Sequence, residues 1–509
     1  MAAPVLNSPL WLEHAATRYP PLDGALEVDV AVVGAGITGA TTAFLLAREG
    51  RSVALLEASA IAFGATGYTT AKLTVAHGLV YRDLVDSRGT EAARRYAASN
   101  REAIELVASL VAEHGLECDF ERTFNLVYAE SDGDAARAIR LEAEAARAAG
   151  VDAELTSETE LPYPVAAAVR VDGQAQLHPW KYVAGLVRLV EGRGGRVFEE
   201  TRATAVRSEG GSVVVETTGG SVRAGHAVVA TQMPFTDRGL FFAKAHPVKS
   251  YLVAGAIDPE AAPRGMHISV DDPVRSVRSA PADDGRRLLL VGGEGHTPGD
   301  GSDANARYER LERFARERFG VEATEYRWST HDFVPVDGLP YIGRLRGGEP
   351  RVLVATGFAK WGMTKGTLAA SILADEIAGR RNPYADLYDA TRLDPRRSAG
   401  RFVAENAKVG YHFVADRLRP RVGRDELERL EPGRGTVARL GASSLAVHRG
   451  DTGELHVLSA RCPHLGCIVG WNEADRAWEC PCHGSRFAAD GRLLQGPATA
   501  DLERRRLPE

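Results

Sequence analysis

The sequence predicts an α/β fold whose parallel sheet is interrupted by an α+β insertion and followed by a small all-β domain. Three observations predict it. Residues 28–57 run strand, glycine turn, helix, strand and acid. Two cysteine- and histidine-bearing boxes, CPHLGC (Cys462–Cys467) and CPCHGS (Cys480–Ser485), lie near the C-terminus. The length of 509 residues exceeds what one ordinary core supports, so two or three domains are expected.

The first element is VDVAVVGAGITGATTAFLLAREGRSVALLE (28–57), a full Rossmann-like βαβ fingerprint. Gly34 allows the tight turn, Gly36 lets backbone approach a pyrophosphate, and Gly39 permits close helix–strand packing. The pyrophosphate is expected on the helix N-terminus at Ile37 and Thr38. Glu57 ends the second strand where an acid binds ribose hydroxyls, which predicts an adenosine without a 2′-phosphate. NAD and FAD satisfy this fingerprint equally.

Later blocks resemble the D-amino-acid oxidase and glycine oxidase family of FAD-dependent oxidoreductases. ASAIAFGATGYTTAKLT (58–74) is similar to the family's flavin-approaching loop. The resemblance implies cofactor contacts at Ala58, Gly64, Ala65, Thr66, Thr69, Thr70, Ala71 and Lys72. GGRVFEETRATAVR (194–207) resembles the strand whose backbone, at Val206, faces the adenine. AGHAVVATQMP (224–234) resembles the next strand and turn, implying Ala230 and Thr231, with Gln232 replacing the family's usual glycine. DGLPYIGRL (337–345) and RVLVATGFAKWGMTKGTLAASILADEIAG (351–379) resemble the closing segment. There Gly357, Phe358, Trp361, Gly362, Met363 and Thr364 are implied at the flavin ring, with the helix dipole aimed at its pyrimidine. Neither flavin-facing loop carries a histidine or cysteine, so FAD is expected without a covalent bond.

The two C-terminal boxes offer two cysteines and two histidines plus one further cysteine each. That is the ligand set of a Rieske 2Fe-2S centre, since a ferredoxin-type cluster takes four thiolates. Zinc accepts two cysteines and two histidines as well. A zinc site has no use for a second cysteine pair placed one per box, nor for Gly484 and Ser485 beside the last ligand. The boxes resemble the respiratory branch of the Rieske family. The resemblance implies Cys462 and Cys480 on one iron, His464 and His483 on the other, and a Cys467–Cys482 disulfide. It also implies a hydrogen bond from Ser485 to cluster sulfur. Phe487 stands where respiratory relatives have a tyrosine, which predicts a lower reduction potential. The fifth cysteine, Cys118, reads as a buried structural thiol.

Between the cofactor blocks lie about 86–154, with helical periodicity over 90–150, and about 236–325, which alternates like strands from 240 before one helix. The resemblance implies that these form a substrate domain, while about 25–85, 155–235 and 326–380 bind FAD within a front unit 1–395. A linker rich in proline and arginine precedes an amphipathic helix at 396–419, a spacer or a clamp between domains, and the Rieske domain is expected at 420–509.

A net charge of −6 with mixed signs argues against nucleic acid as a partner. Only seven of 62 basic residues are lysine (72, 181, 244, 249, 360, 365 and 408), leaving 55 arginines. Lysines surviving that bias point to positions a guanidinium cannot fill. The N-terminus lacks the features of a signal peptide and no apolar run reaches membrane-spanning length, so a soluble, cytoplasmic protein is expected.

The expected activity is oxidation of a C–N bond in an amine or amino acid at FAD. Electrons then pass singly to the cluster and on to an external acceptor. Two alternatives are electron entry through the cluster for a reductive or oxygen-activating step, and a non-catalytic redox sensor or carrier. Lys360 and Lys72, in the flavin-facing loops, and His331, as an acceptor of the amine proton, are the candidate catalytic residues.

Overall fold

The computed structural model describes residues 5–13, 15, 19–236, 238–299, 303–345, 349–418, 424–440 and 443–507. Residue 420, the expected start of the C-terminal domain, lies outside the described residues.

The strand Gly24–Val33 ends in a fully buried apolar run and pairs in parallel with Val53–Leu56 on one side and Gly220–Val229 on the other. Continuous apolar runs of this kind suit a sheet covered on both faces. Arg196–Phe198 and Val352–Thr356 extend it in parallel, and Tyr341–Arg344 closes one edge antiparallel. The helix Ile37–Arg48 is buried along nearly its whole length because helices Pro179–Glu191 and Gly362–Ile377 pack against it. A Cβ on Gly366 would stand 2.7 Å from the Thr38 hydroxyl, so only glycine allows the two helices to cross this closely.

A nine-stranded mixed sheet forms the second layer, running from Tyr326–Pro335 through Ala245–Ile257 and on to Ala167–Gln176 and Lys72–Leu73. Three strands assigned from sequence to the FAD-binding parts, Lys72–Leu73, Ala167–Gln176 and Tyr326–Pro335, belong to this sheet. The chain crosses between layers more often than the sequence pattern shows. The helix Thr90–His114, assigned to the substrate domain, packs on Gly362–Ile377 and joins the core of the first layer.

Residues 380–394 are more than a surface linker. Tyr388 is fully buried, and Arg392 grips Asp337 with two nitrogens at 2.7 and 2.8 Å. The helix Pro395–Leu418 follows. Asn406 donates to the Ala243 carbonyl at 3.0 Å, while Val409 and Phe413 pack on the C-terminal core, so this helix touches both domains. The C-terminal domain is a three-stranded sheet (Gly435–Leu440, Ser443–Arg449, Leu455–Ser459) and a four-stranded one (Gly470–Asn472, Ala477–Glu479, Arg486–Ala488, Leu493–Gln495). Among the described residues no helix is long and apolar enough to cross a membrane.

Candidate functional site

A cavity of about 680 Å³ opens where the first sheet meets the second. Gly34 turns the chain at φ +100°, a conformation costly to any residue with a Cβ, and a Cβ there would press on the Ala230 carbonyl at 2.6 Å. The first turns of two helices, at Ile37–Thr38 and Gly362–Met363, line the cavity and bring their positive dipole ends to it. Glu57 is held at its edge by the backbone N–H of Ala35 (2.9 Å) and of Ser59 (3.0 Å). Two helix N-termini, a glycine turn and a fixed carboxylate in one cleft fit the pyrophosphate and ribose of a dinucleotide.

Of the residues expected at the cofactor, Gly34, Gly36, Ile37, Thr38, Glu57, Ala58, Gly64, Ala65, Thr66, Thr69, Thr70, Lys72, Ala230, Thr231, Phe358, Trp361, Gly362 and Met363 line this cavity. Five do not. Gly39 acts behind it, where a Cβ would lie 1.8 Å from the Gly34 carbonyl oxygen. Ala71 is buried, its carbonyl accepting from Arg278. Gly357 turns beneath Pro335, and the Thr364 hydroxyl accepts from the Thr74 N–H at 3.0 Å. Val206 points into the core beside Val213 and Val215, and Thr201, Arg202 and Ala203 face the cavity instead, three to five residues earlier. None of the described lining residues is a histidine or cysteine.

The second sheet supplies the far wall with Val248, Ser250, Tyr251, Glu294 and Thr330, and Arg307 joins them from the helix Ala304–Phe319. Glu294 is engaged by Arg275 at 2.7 Å and Arg310 at 2.6 Å. Lys360 stands in the cavity beside Gly295, its backbone N–H donating to Asp332 at 2.6 Å. Its exposed surface faces the cavity, and the surrounding protein lowers its pKa, with Asp332 opposing. Lys72 reaches the wall, but its ammonium donates to the His267 carbonyl (2.6 Å) and the Ser276 hydroxyl (2.7 Å). Burial, followed by Arg278, holds it well below the lysine range.

His331 is absent from the lining and lies buried against Gly484 of the C-terminal domain, with its Nε2 3.1 Å from where a Cβ on that glycine would be. Burial, then Arg486 and Lys249, push its pKa far down. It is therefore removed as acceptor of a substrate proton, because strand pairing turns its ring toward the cluster loop.

That loop carries the second site. Cys467 and Cys482 form a disulfide, and the sulfurs of Cys467, Cys480 and Cys482 lie within 4.8 Å of one another. Cys462 and Cys480 are buried free thiols. Burial, then His464, push His483 down to about 3, which keeps it in the neutral form that ligates metal. Its Nδ1 is buried without a hydrogen-bond partner among the described residues, as a metal ligand would be. Hydrogen bonding from Cys480 first, then the His464 N–H and Ser485 hydroxyl, lowers the Cys462 pKa against burial. These donors fit a 2Fe-2S cluster on Cys462, His464, Cys480 and His483. Cys118 is a free buried thiol pushed up to about 12 by burial, then Asp119.

Phe487 is fully buried, paired across the sheet with Trp478. Phe487→Tyr, which introduces the hydroxyl that the Rieske resemblance implies at this position, is expected to raise the potential by on the order of 60 mV, one charge-assisted hydrogen bond on a one-electron centre. A redox titration followed by paramagnetic resonance checks this, and an unchanged or lower potential contradicts it.

The sequence reading missed the union of the two sites. Leu494, Gln495, Gly496, Ala498 and Thr499 of the C-terminal domain form part of the cavity wall. Across the same interface Lys249, 1% exposed, pairs with Asp475 at 2.5 Å and with Glu479, and Arg486 lies 3.2 Å from Asp475. The hydroxyls of Ser329 and Tyr308 donate to Asp475 as well. The scarcity of lysine was the one signal for Lys249. Phe242 presents its ring edge-on to both cluster histidines, with centroids 6.1 Å from His464 and 5.5 Å from His483.

Comparison with known proteins identifies both domains. Residues 29–376 match the family model described as FAD dependent oxidoreductase (DAO), and 424–505 match the Rieske [2Fe-2S] domain. A chain of Bacillus subtilis (strain 168), YhfW, described as a Rieske 2Fe-2S iron-sulfur protein, is 34% identical over 95% of this chain and 94% of its own length. Gamma-glutamylputrescine oxidoreductase of Escherichia coli (strain K12) is 25% identical over 79% of this chain and 97% of its own. The solved structure of glycine oxidase from Geobacillus kaustophilus superposes with a TM-score of 0.60 at 20% identity, over 72% of this chain and 100% of that one, and so shares the fold. The chain belongs to the DAO family of FAD-dependent oxidoreductases and carries a C-terminal Rieske 2Fe-2S domain.

Proposed function

We propose that this protein oxidises a C–N bond of an amine or amino acid in the cavity and passes the electrons singly through its Rieske cluster to an external one-electron acceptor. Bound FAD supplies two-electron chemistry and the cluster one-electron chemistry. The observation carrying this reading is that residues 494–496, 498 and 499 of the Rieske domain wall the same cavity as the dinucleotide fingerprint. Gamma-glutamylputrescine and glycine, named in two relatives, support a substrate of the amine or amino-acid class. A cytoplasmic location belongs to the same proposal.

The chain's own residues divide the work. Gly34, Glu57 and the two helix N-termini orient the dinucleotide, and the apolar wall of Tyr251, Phe358 and Trp361 excludes water. Lys360 is the lining lysine assigned to the cofactor, because Lys72 is committed to His267 and Ser276. Lys360→Met is expected to slow flavin reduction on the order of a hundredfold, the usual cost of removing a positioned charge. Stopped-flow absorbance checks this, and an unchanged rate removes Lys360 from the mechanism.

The reading itself is tested by anaerobic screening of polyamines, N-methyl amino acids and D-amino acids while recording visible spectra. At least one class is expected to bleach the flavin. Bleaching by none of them, in protein that dithionite does bleach, overturns the proposal.

A further inference from the structure

We infer that Gln232 is a positioning residue that couples the cofactor cavity to the cluster, a role resting on the proposed passage of electrons between the two sites. Gln232 lines the cavity and sits at φ +66°, in the left-handed region where a side chain is disfavoured and where the family's motif has glycine. A residue kept at such a position needs compensation, and the side chain supplies it across the domain boundary. The Gln232 Nε2 donates to the His331 carbonyl, and its Oε1 accepts from Nε2 of Gln495 in the Rieske domain. Its backbone carbonyl accepts from the Thr356 hydroxyl.

Both limbs of this bridge end at the cluster. Along one, His331 sits on the strand Tyr326–Pro335 opposite Lys249, the residue at the centre of the interdomain ion pairs. Its Nε2 is buried and has no hydrogen-bond partner among the described residues. The ring is pressed against Gly484, which lies between His483 and Ser485 and adopts φ +72°. A Cβ on Gly484 would crowd both His331 Nε2 and Pro247, each at 3.1 Å, so glycine is what lets the ring touch the ligand loop. Along the other limb, Gln495 pairs with Arg486 across the sheet, one residue from Ser485. The Ser485 hydroxyl accepts from the Ala498 N–H at 3.1 Å, tying the cavity-wall segment back to the ligand loop.

Gln232 thereby holds one side chain in contact with the cavity and with both routes to the His483 turn. With both groups bound, each transfer would take one electron from the reduced cofactor and turn one ferric iron of the cluster ferrous, and a one-electron acceptor of the ferricyanide type would reoxidise it before the second electron, with the protons released to solvent.

The test uses the full-length holoprotein and needs no substrate. Flash photoreduction with deazariboflavin and EDTA injects electrons, and their redistribution between flavin and cluster is followed by absorbance and rapid-freeze paramagnetic resonance. In Gln232→Gly, which relieves the backbone strain, the redistribution rate is expected to fall about tenfold or more, as misplacement of reacting groups by an ångström does. Melting temperature, flavin content and the final distribution of electrons are expected to stay at wild-type values. Gln495→Met, which cuts one limb, is expected to fall between wild type and Gln232→Gly. A wild-type protein in which electrons never redistribute defeats the underlying reading. A wild type that redistributes them, beside a Gln232→Gly variant within twofold of it, defeats the inference alone. A slowed variant that has also lost flavin or thermal stability assigns Gln232 a merely structural role and defeats it too.

Discussion

Lys249→Met is expected to destabilise the docked chain by about 3–5 kcal/mol, the cost of removing one partner from a buried ion pair. Lys249 is held by two carboxylates, Asp475 and Glu479, which Arg486 also engages. Without it two carboxylates stay buried against one guanidinium. The loss falls on the interface, because Lys249 belongs to the front domain and its partners to the Rieske domain. Denaturant unfolding followed by the visible dichroism of the cluster reads it. Adding Asp475→Asn to Lys249→Met is expected to return part of the loss by removing the stranded charge. A change below about 0.5 kcal/mol in the single variant, the range of ordinary surface substitutions, contradicts a stabilising lock.

The same network sets an acid limit. Burial opposes ionisation of Asp475, but Lys249 and Arg486 outweigh it and hold its pKa below the ordinary 3.8. A depressed carboxylate stabilises the fold above its unfolded pKa and loses that contribution as pH falls through the folded value. Docking in the wild type is therefore expected to persist until strong acid, and in Lys249→Met to fail at a higher pH.

Gly39→Ala is expected to empty the flavin site while sparing the cluster. The added Cβ would lie 1.8 Å from the Gly34 carbonyl oxygen and 3.3 Å from Val32, so the helix and the glycine turn must part. Overpacking of this kind costs about 1–3 kcal/mol, and spent on cofactor binding it is roughly a tenfold to hundredfold loss of FAD affinity. Titration of apoprotein with FAD measures it. Iron content is expected to be unchanged, since the ligands sit in loops of the C-terminal domain, whose sheets are separate from the one that carries Gly34. Wild-type FAD affinity contradicts the close-packing role of Gly39.

What could be read from the sequence was local. The turn at Gly34 and the boxes at Cys462 and Cys480 are short, and their spacing encodes their geometry, so the structure sets Gly34 in a turn at the cavity and brings Cys462 and Cys480 together. Val206 packs in the core while Ala203 lines the cavity, because a strand's apolar alternation does not fix which residue faces the cleft. His331 failed for a longer-range reason. Its neighbour Gly484 is about 150 positions away, and no periodicity reports a partner in another domain. The Leu494–Thr499 wall was invisible on the same ground. Lysine scarcity did better. Among the seven, Lys72, Lys244, Lys249 and Lys365 are buried and Lys360 lines the cavity, which a bulkier, always charged guanidinium fits poorly.

The claim that cavity and cluster form one electrical unit is tested most directly by a single turnover. Anaerobic holoprotein is mixed with an amine that bleaches it, and samples are frozen at intervals for paramagnetic resonance. The account expects the signal of the reduced cluster to grow in as part of the flavin colour returns, with no mediator present. A flavin that stays fully bleached beside a cluster that remains oxidised until a mediator is added would contradict it.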